Sequence, residues 1–147
     1  MVLLLENSDW NKFKMPTIHI QTKSHAEMTE ITSQISGIIP TGMDSGICIV
    51  FSMHTTAGLT INENADPDVI KDILFSLEKI VPWENSKYLH SEGNSAAHVK
   101  ASLMGLSLTI PVRKGRLNLG TWQGVYFCEF DGPRNRMVSV EFIEGKV

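Results

Sequence analysis

The chain is poor in cysteine: among its 147 residues only Cys48 and Cys128 occur, far apart and in no C-x-x-C pair. A disulfide scaffold and a structural zinc knuckle are therefore not expected. Both cysteines fall in apolar runs, where a free thiol behaves as a small hydrophobe. Charge of one sign is also lacking. Lys plus Arg number 13 and Asp plus Glu 16, a net charge of −3, with no long basic run, so a nucleic-acid partner is not expected. No apolar run approaches the roughly 20 residues that cross a bilayer, and no membrane span is expected. The apolar start, Met1 to Leu5, has no basic stretch before it and meets Glu6, Asn7, Ser8 and Asp9 at once. A signal peptide fits it poorly, and a cytoplasmic protein is the expectation. G-x-G-x-x-G, Walker, H-E-x-x-H and G-x-S-x-G patterns are missing, which removes the common nucleotide, zinc-protease and serine-hydrolase readings.

What remains is a globular composition, 42% hydrophobic and 20% charged, at a length that predicts one domain over 1–147, with 1–14 as an N-terminal extension. Alternation predicts a strand over 15–23. Met28, Ile31, Ile35, Ile38 and Ile39 fall at helical spacing and predict an amphipathic helix over 25–39, closed by Pro40 and Gly42. Residues 46–53 are β-branched and aromatic and predict a strand buried on both faces. Asp66-Pro67 is an N-cap signal, and the apolar face from Val69 to Val81 predicts a helix up to Pro82. A polar loop follows over 83–93. Asn94 is placed to cap a helix running to Met104, with Gly105 at its end. Strands are expected over 106–110, with Pro111 closing the strand or marking a sheet edge, around Leu117, over 121–130 and over 136–143, the last two joined by a turn at 131–135. Helices among early strands, then a run of strands, predict an α+β fold: a mixed, largely antiparallel sheet or sandwich with two to three helices on one face.

Three polar segments carry the candidate chemistry. In the first, 54–66, His54 shares a strand face with Cys48, Val50 and Ser52, so a rigid element holds its imidazole. Asn62, Glu63 and Asn64 are potential ligands, while Asp66 is better used as a cap. In the second, 88–100, His98 falls near the start of a helix, where the dipole favours anions and a neutral ring suited to a metal. His90 precedes it in the loop. Lys100 is either a phosphate contact or a solvated charge, and about 200° of helix rotation separates it from His98. In the third, 119–136, alternation sets Gln123, Val125, Phe127 and Glu129 on one strand face and Trp122, Tyr126, Cys128 and Phe130 on the other. Glu129 thus enters an apolar strand and needs a partner: Arg134, Arg136, a histidine or a cation. Arg134 either forks a phosphate or holds the turn.

The sequences H-T-T-A-G-L-T-I-N-E-N-A-D at 54–66, H-x7-H-V-K-A-S-L-M-G at 90–105 and L-G-T-W-Q-G-V-Y-F-C-E-F-D-G-P-R-N-R at 119–136 together resemble the YjbQ-like family, whose members carry the label of secondary thiamine-phosphate synthase. The resemblance extends over nearly the whole chain from about residue 15. It implies a small α+β fold, a homotrimer, and a polar pocket near the subunit boundary for a metal ion or anion. It makes His54, His90 and His98 the leading pocket residues; as metal ligands they favour zinc, whereas magnesium would be held by Glu63 or Glu129. Around them come Glu129, Glu63 and Arg134 as catalytic groups and Asn62, Lys100, Gln123 and Arg134 as contacts to a small phosphorylated metabolite or anion. The labelled reaction joins a pyrimidine pyrophosphate to a thiazole phosphate. The same residues also suit a metal-dependent enzyme of another class, such as a hydrolase with a three-histidine site, or a non-catalytic trimer that binds a phosphorylated metabolite.

Overall fold

The computed structural model describes residues 15–145; the predicted extension 1–14 lies outside them. Among the described residues eight strands form two antiparallel sheets. The first has the order β1-β8-β3-β5-β6, built from β1 (Thr17–Gln21), β3 (Ser45–Ser52), β5 (Ser107–Arg113), β6 (Arg116–Leu117) and β8 (Asn135–Glu144). The second has the order β2-β7-β4, from β2 (Glu27–Glu30), β4 (Ala57–Glu63) and β7 (Gln123–Glu129). The sheets face each other across the main core, to which Cys48, Val50, Ile110, Val112, Val138 and Val140 come from one side and Leu59, Val125 and Phe127 from the other. The α+β architecture is the expected one, and its sheets are wholly antiparallel among the described residues.

Helices α2 (Pro67–Ile80) and α3 (Ser95–Met104) cover the outer face of the second sheet. There Tyr126, Cys128 and Phe130 meet Ala97 and Ala101 of α3 and Ile70, Leu74 and Leu77 of α2 in a second core. β7 thus feeds two cores by strict alternation. Asp66 caps α2 by accepting the Asp68 N–H at 2.9 Å, with Pro67 in the first turn. α3 ends at Gly105, φ 90°, and lies so close to β4 that a Cβ on Gly58 would stand 2.8 Å from the Met104 Cβ. Burial raises the Cys48 thiol to about 11 and the Cys128 thiol to about 12, and both are free.

Three expectations are corrected. Residues 25–39 are not one helix: β2 pairs with β7, and only α1 (Thr32–Ser36) is helical. Ala26 and Met28 pack into the second core while Ile31 and Ile35 fill the first, and one helix face cannot serve both sides of a sheet. The chain crosses at Ile31, whose N–H donates to the Val125 carbonyl at 2.8 Å. β3 is buried on one face only; Ile47, Phe51 and, just beyond the strand, Met53 remain exposed. Pro111 does not close β5, which runs through it to Arg113 because β6 on that side is only two residues long and asks for no N–H at Pro111.

Candidate functional site

At the end of the sandwich where β7 finishes and β8 begins, the polar residues form two groups. The inner group centres on Glu129, fully buried. Its carboxylate accepts from Arg136 Nε at 2.7 Å and from Arg136 Nη2, from Thr22 Oγ1 at 3.0 Å, and from the N–H groups of Phe130 and Asp131 at 3.0 and 2.9 Å. Arg136 Nη2 also donates to Thr56 Oγ1 at 2.8 Å. Burial alone pushes the Glu129 pKa up; the Arg136 fork, the Asp131 amide and Thr22 outweigh it and hold the carboxyl below its usual range. Between the two arginines that the sequence offered as partners, the structure selects Arg136.

His54 borders this group. Its Nε2 accepts the Met137 N–H at 2.9 Å, and its ring stands edge-on to Phe127 with centroids 6.4 Å apart. Burial, then the nearby Arg136 charge, lower its pKa against an opposing pull from Glu129. The neutral ring that results carries its proton on Nδ1, so no lone pair is left for a metal in this arrangement.

The outer group lies at the start of α3. His90 and His98 face each other at 5.3 Å between ring centroids, nearly perpendicular at 81°, and with Ser95 and Val99 line a hollow of about 350 Å³. Glu92 stands 3.8 Å from His90 Nε2. Asn94 occupies the N-cap position of α3 without capping it. Its Nδ2 donates to Asp131 Oδ2 at 3.1 Å instead, leaving the Ser95 and Ala96 amides without an acceptor among the described residues. Arg134 donates to the Asp131 carbonyl at 2.7 Å and to Asp131 Oδ2 at 2.8 Å, so its guanidinium holds the turn. The three histidines are thus not one cluster within the chain. Among the described residues no group of three or more His, Cys, Asp or Glu is gathered to hold a metal.

The remaining candidates lie elsewhere. Lys100 is buried and its ammonium pairs with Glu78 of α2, which lowers the Glu78 pKa; it is neither a solvated charge nor directed at His98. Asn62 and Glu63 end β4 and pair in register with Gly124 and Gln123. Asn62 Oδ1 accepts the Glu63 N–H, the Glu63 carbonyl accepts the Tyr126 hydroxyl, and Gln123 folds onto the Gly120 N–H. Glu63 lies six residue steps along β4 from Ala57, the partner of Glu129, roughly 20 Å at strand rise. Glu63 and Glu129 cannot serve one small site within a single chain. Thr22, Thr56 and Asp131 were not singled out from the sequence. Their only signal was that a buried Glu-Arg pair leaves hydrogen-bonding capacity for short polar side chains to fill.

Similarity to known proteins agrees with this architecture. The signature described as UPF0047 protein YjbQ-like matches residues 16–145. UPF0047 protein YugU of Bacillus subtilis is 48% identical over 130 residues, covering 88% of this chain and 98% of that protein. UPF0047 protein YjbQ of Salmonella typhimurium is 41% identical over 123 residues, covering 80% and 87%. Among solved structures, an uncharacterised conserved protein of the YjbQ/UPF0047 family from Clostridium acetobutylicum superposes with a TM-score of 0.85 at 50% identity, covering 87% of this chain and 99% of its own. The conserved hypothetical protein TT1486 from Thermus thermophilus gives 0.82 at 38%, covering 87% and 99%. With the motif segments at 54–66, 90–105 and 119–136 inside the matched span, the chain belongs to the UPF0047 (YjbQ-like) family.

Proposed function

We propose that the protein is a metal-linked enzyme acting, as a homotrimer, on a small phosphorylated metabolite, with His90 and His98 as ligands of a zinc-like ion. The observation that carries this reading is the spacing of the two rings. A metal–nitrogen bond of about 2.1 Å puts each ring centroid about 3.2 Å from the ion, and a tetrahedral angle then separates two centroids by about 5.2 Å. The observed value is 5.3 Å. Imidazole ligands favour zinc-like ions over magnesium, which prefers oxygen. The open amides of Ser95 and Ala96 beside the pair suit a phosphate oxygen. An ion held by His90 and His98 would supply Lewis-acid chemistry, polarising a phosphoryl or acyl oxygen and making a nearby water more acidic. Glu129, with five donors on its carboxylate, is committed to structure and does not act as the base. His54 becomes a third ligand only from a neighbouring copy and only by releasing Met137; otherwise water or substrate fills that position. Self-association is supported by apolar side chains that this chain leaves exposed, Ile80 of α2 and Val99 and Leu103 of α3, with the half-buried Val69 and Ile73 lining a shallow hollow beside Ile80.

The second reading is thiamine-phosphate synthase-like activity, as at least a side activity. The same open α3 amides favour it, since the departing pyrophosphate needs donors. With Lys100 and Arg134 engaged by Glu78 and Asp131, the neutralising charge has to come from a divalent ion. Elemental analysis of untreated protein and of the H90A and H98A variants tests the first reading, and an assay with both thiamine precursors at low enzyme loading tests the second. Zinc-like metal in the parent and none in the variants is expected. Protein that neither contains nor takes up such an ion overturns the metal assignment. Product from the precursors that survives H98A puts the second reading first, and retained metal without turnover of phosphoesters or precursors leaves a binding protein.

A further inference from the structure

β5 and β6 are joined by a two-residue loop, Lys114-Gly115, with both residues in the left-handed region at φ 51° and 67°. Such primed turns favour Asn-Gly or Asp-Gly. Here a lysine takes the first position, and it is the one non-glycine residue with positive φ among those described. The register sets Arg113 directly opposite Arg116, so two guanidinium groups leave the hairpin on the same face, where like charges repel. Among the described residues none of the three cations takes part in an ion pair. Asp44, the acidic residue bonded to the loop, offers only its main-chain carbonyl, to the Gly115 N–H at 3.0 Å. Together with Leu117 and Asn118, and with no carboxylate, Arg113, Lys114 and Arg116 line a hollow of about 590 Å³.

Three like charges within four residues, one of them on a backbone conformation that side chains avoid, are an arrangement that opposes itself until an anion arrives. It occurs in a chain whose net charge is −3, so it is not the local expression of a basic protein. Guanidinium groups bind phosphate oxygens in forks, and a pair of them opposed across a hairpin with an ammonium at its tip offers more donors than one phosphate can use. The hollow has the size of a small-metabolite site, with the half-buried Leu117 and the Asn118 amide to meet the rest of the ligand. We propose that this hairpin binds a small molecule carrying a pyrophosphate or longer phosphate chain. The site is separate from the histidine pair, since the hairpin closes the end of β5 remote from Gly105, where α3 stops.

Titration of the full chain with inorganic pyrophosphate and tripolyphosphate by calorimetry tests this. Saturable binding is expected with a component that R113Q/R116Q weakens by about tenfold or more, as loss of charged hydrogen bonds implies. R113Q/R116Q is expected to keep the metal of the histidine pair while losing this component, which separates the hairpin from the metal reading. No saturable binding, or binding that R113Q/R116Q leaves intact, overturns the proposal. Tighter binding of a mixed-sequence oligonucleotide than of tripolyphosphate overturns it in favour of a polymer-binding surface.

Discussion

Two polar clusters sit within a short distance of one another at the same end of the sandwich, and they differ in how completely they are satisfied. Around Glu129 every strong group has a partner: five donors converge on the carboxylate, and Arg136 reaches Thr56 as well. Around His90 and His98 the rings face each other across a hollow, and the helix start behind them lacks its cap. A buried charge in an apolar strand survives only if fully paired, so its presence alone says nothing about catalysis. Polar groups left short of partners are where a ligand gains most. Function is therefore to be sought in the second cluster, although the first holds the more conspicuous residue.

The largest expected effect tests the first half of that contrast. Arg136→Ala strands a buried carboxylate and is expected to lower unfolding stability by about 3–5 kcal/mol. Replacing Glu129 and Arg136 together by methionine costs far less, because no charge is left unpaired. Denaturant titration of both variants checks this, and an Arg136→Ala loss no larger than that of the double variant would remove the structural role. In the second cluster the signs reverse. His98→Ala is expected to abolish metal retention while changing the stability of the metal-free protein by no more than about 0.5 kcal/mol; metal analysis beside a melting curve taken with chelator decides, and unfolding would make His98 a core residue instead.

A smaller effect concerns His54. Its folded-state pKa lies below the usual value, so the native state binds fewer protons than the unfolded chain. Its contribution is fully present above about pH 6.5 and is lost as pH falls through the lowered folded value, with a slope of at most about 1.4 kcal/mol per pH unit. His54→Gln is expected to flatten that slope. Glu129, also held low, adds a second loss at more acidic pH. The smallest effect is expected at the hairpin, where Lys114→Asn relieves a lysine held at φ 51° and gains roughly 0.5 kcal/mol, readable as a small rise in Tm.

Local chemistry was the legible part of the sequence. Asp66-Pro67 predicts the start of α2 because a cap and a proline act within one turn. The alternation of β7 predicts which side chains meet the helices and which the opposite sheet, since period 2 leaves no choice. Residues 25–39 were not legible, because Met28 and Ile31 lie at helical spacing yet belong to different cores, and only the pairing of β2 with β7, about a hundred residues later, separates them. Lys100 shows the same limit at the site: its burial depends on Glu78 of another helix, which no local pattern around 100 announces. The histidines were legible as candidates, but their division into one ring bound to Met137 and two rings facing each other arises from tertiary contacts alone.

The amide of Asn94 has a consequence beyond its own bond. By reaching Asp131 instead of capping α3, it tethers the helix that bears His98 to the corner where the two sheets are clamped by Arg136 and Glu129. The gap between the imidazoles is then referenced to the densely hydrogen-bonded corner around Glu129. A substitution that shortened or released this tether would retune the aperture without altering either histidine.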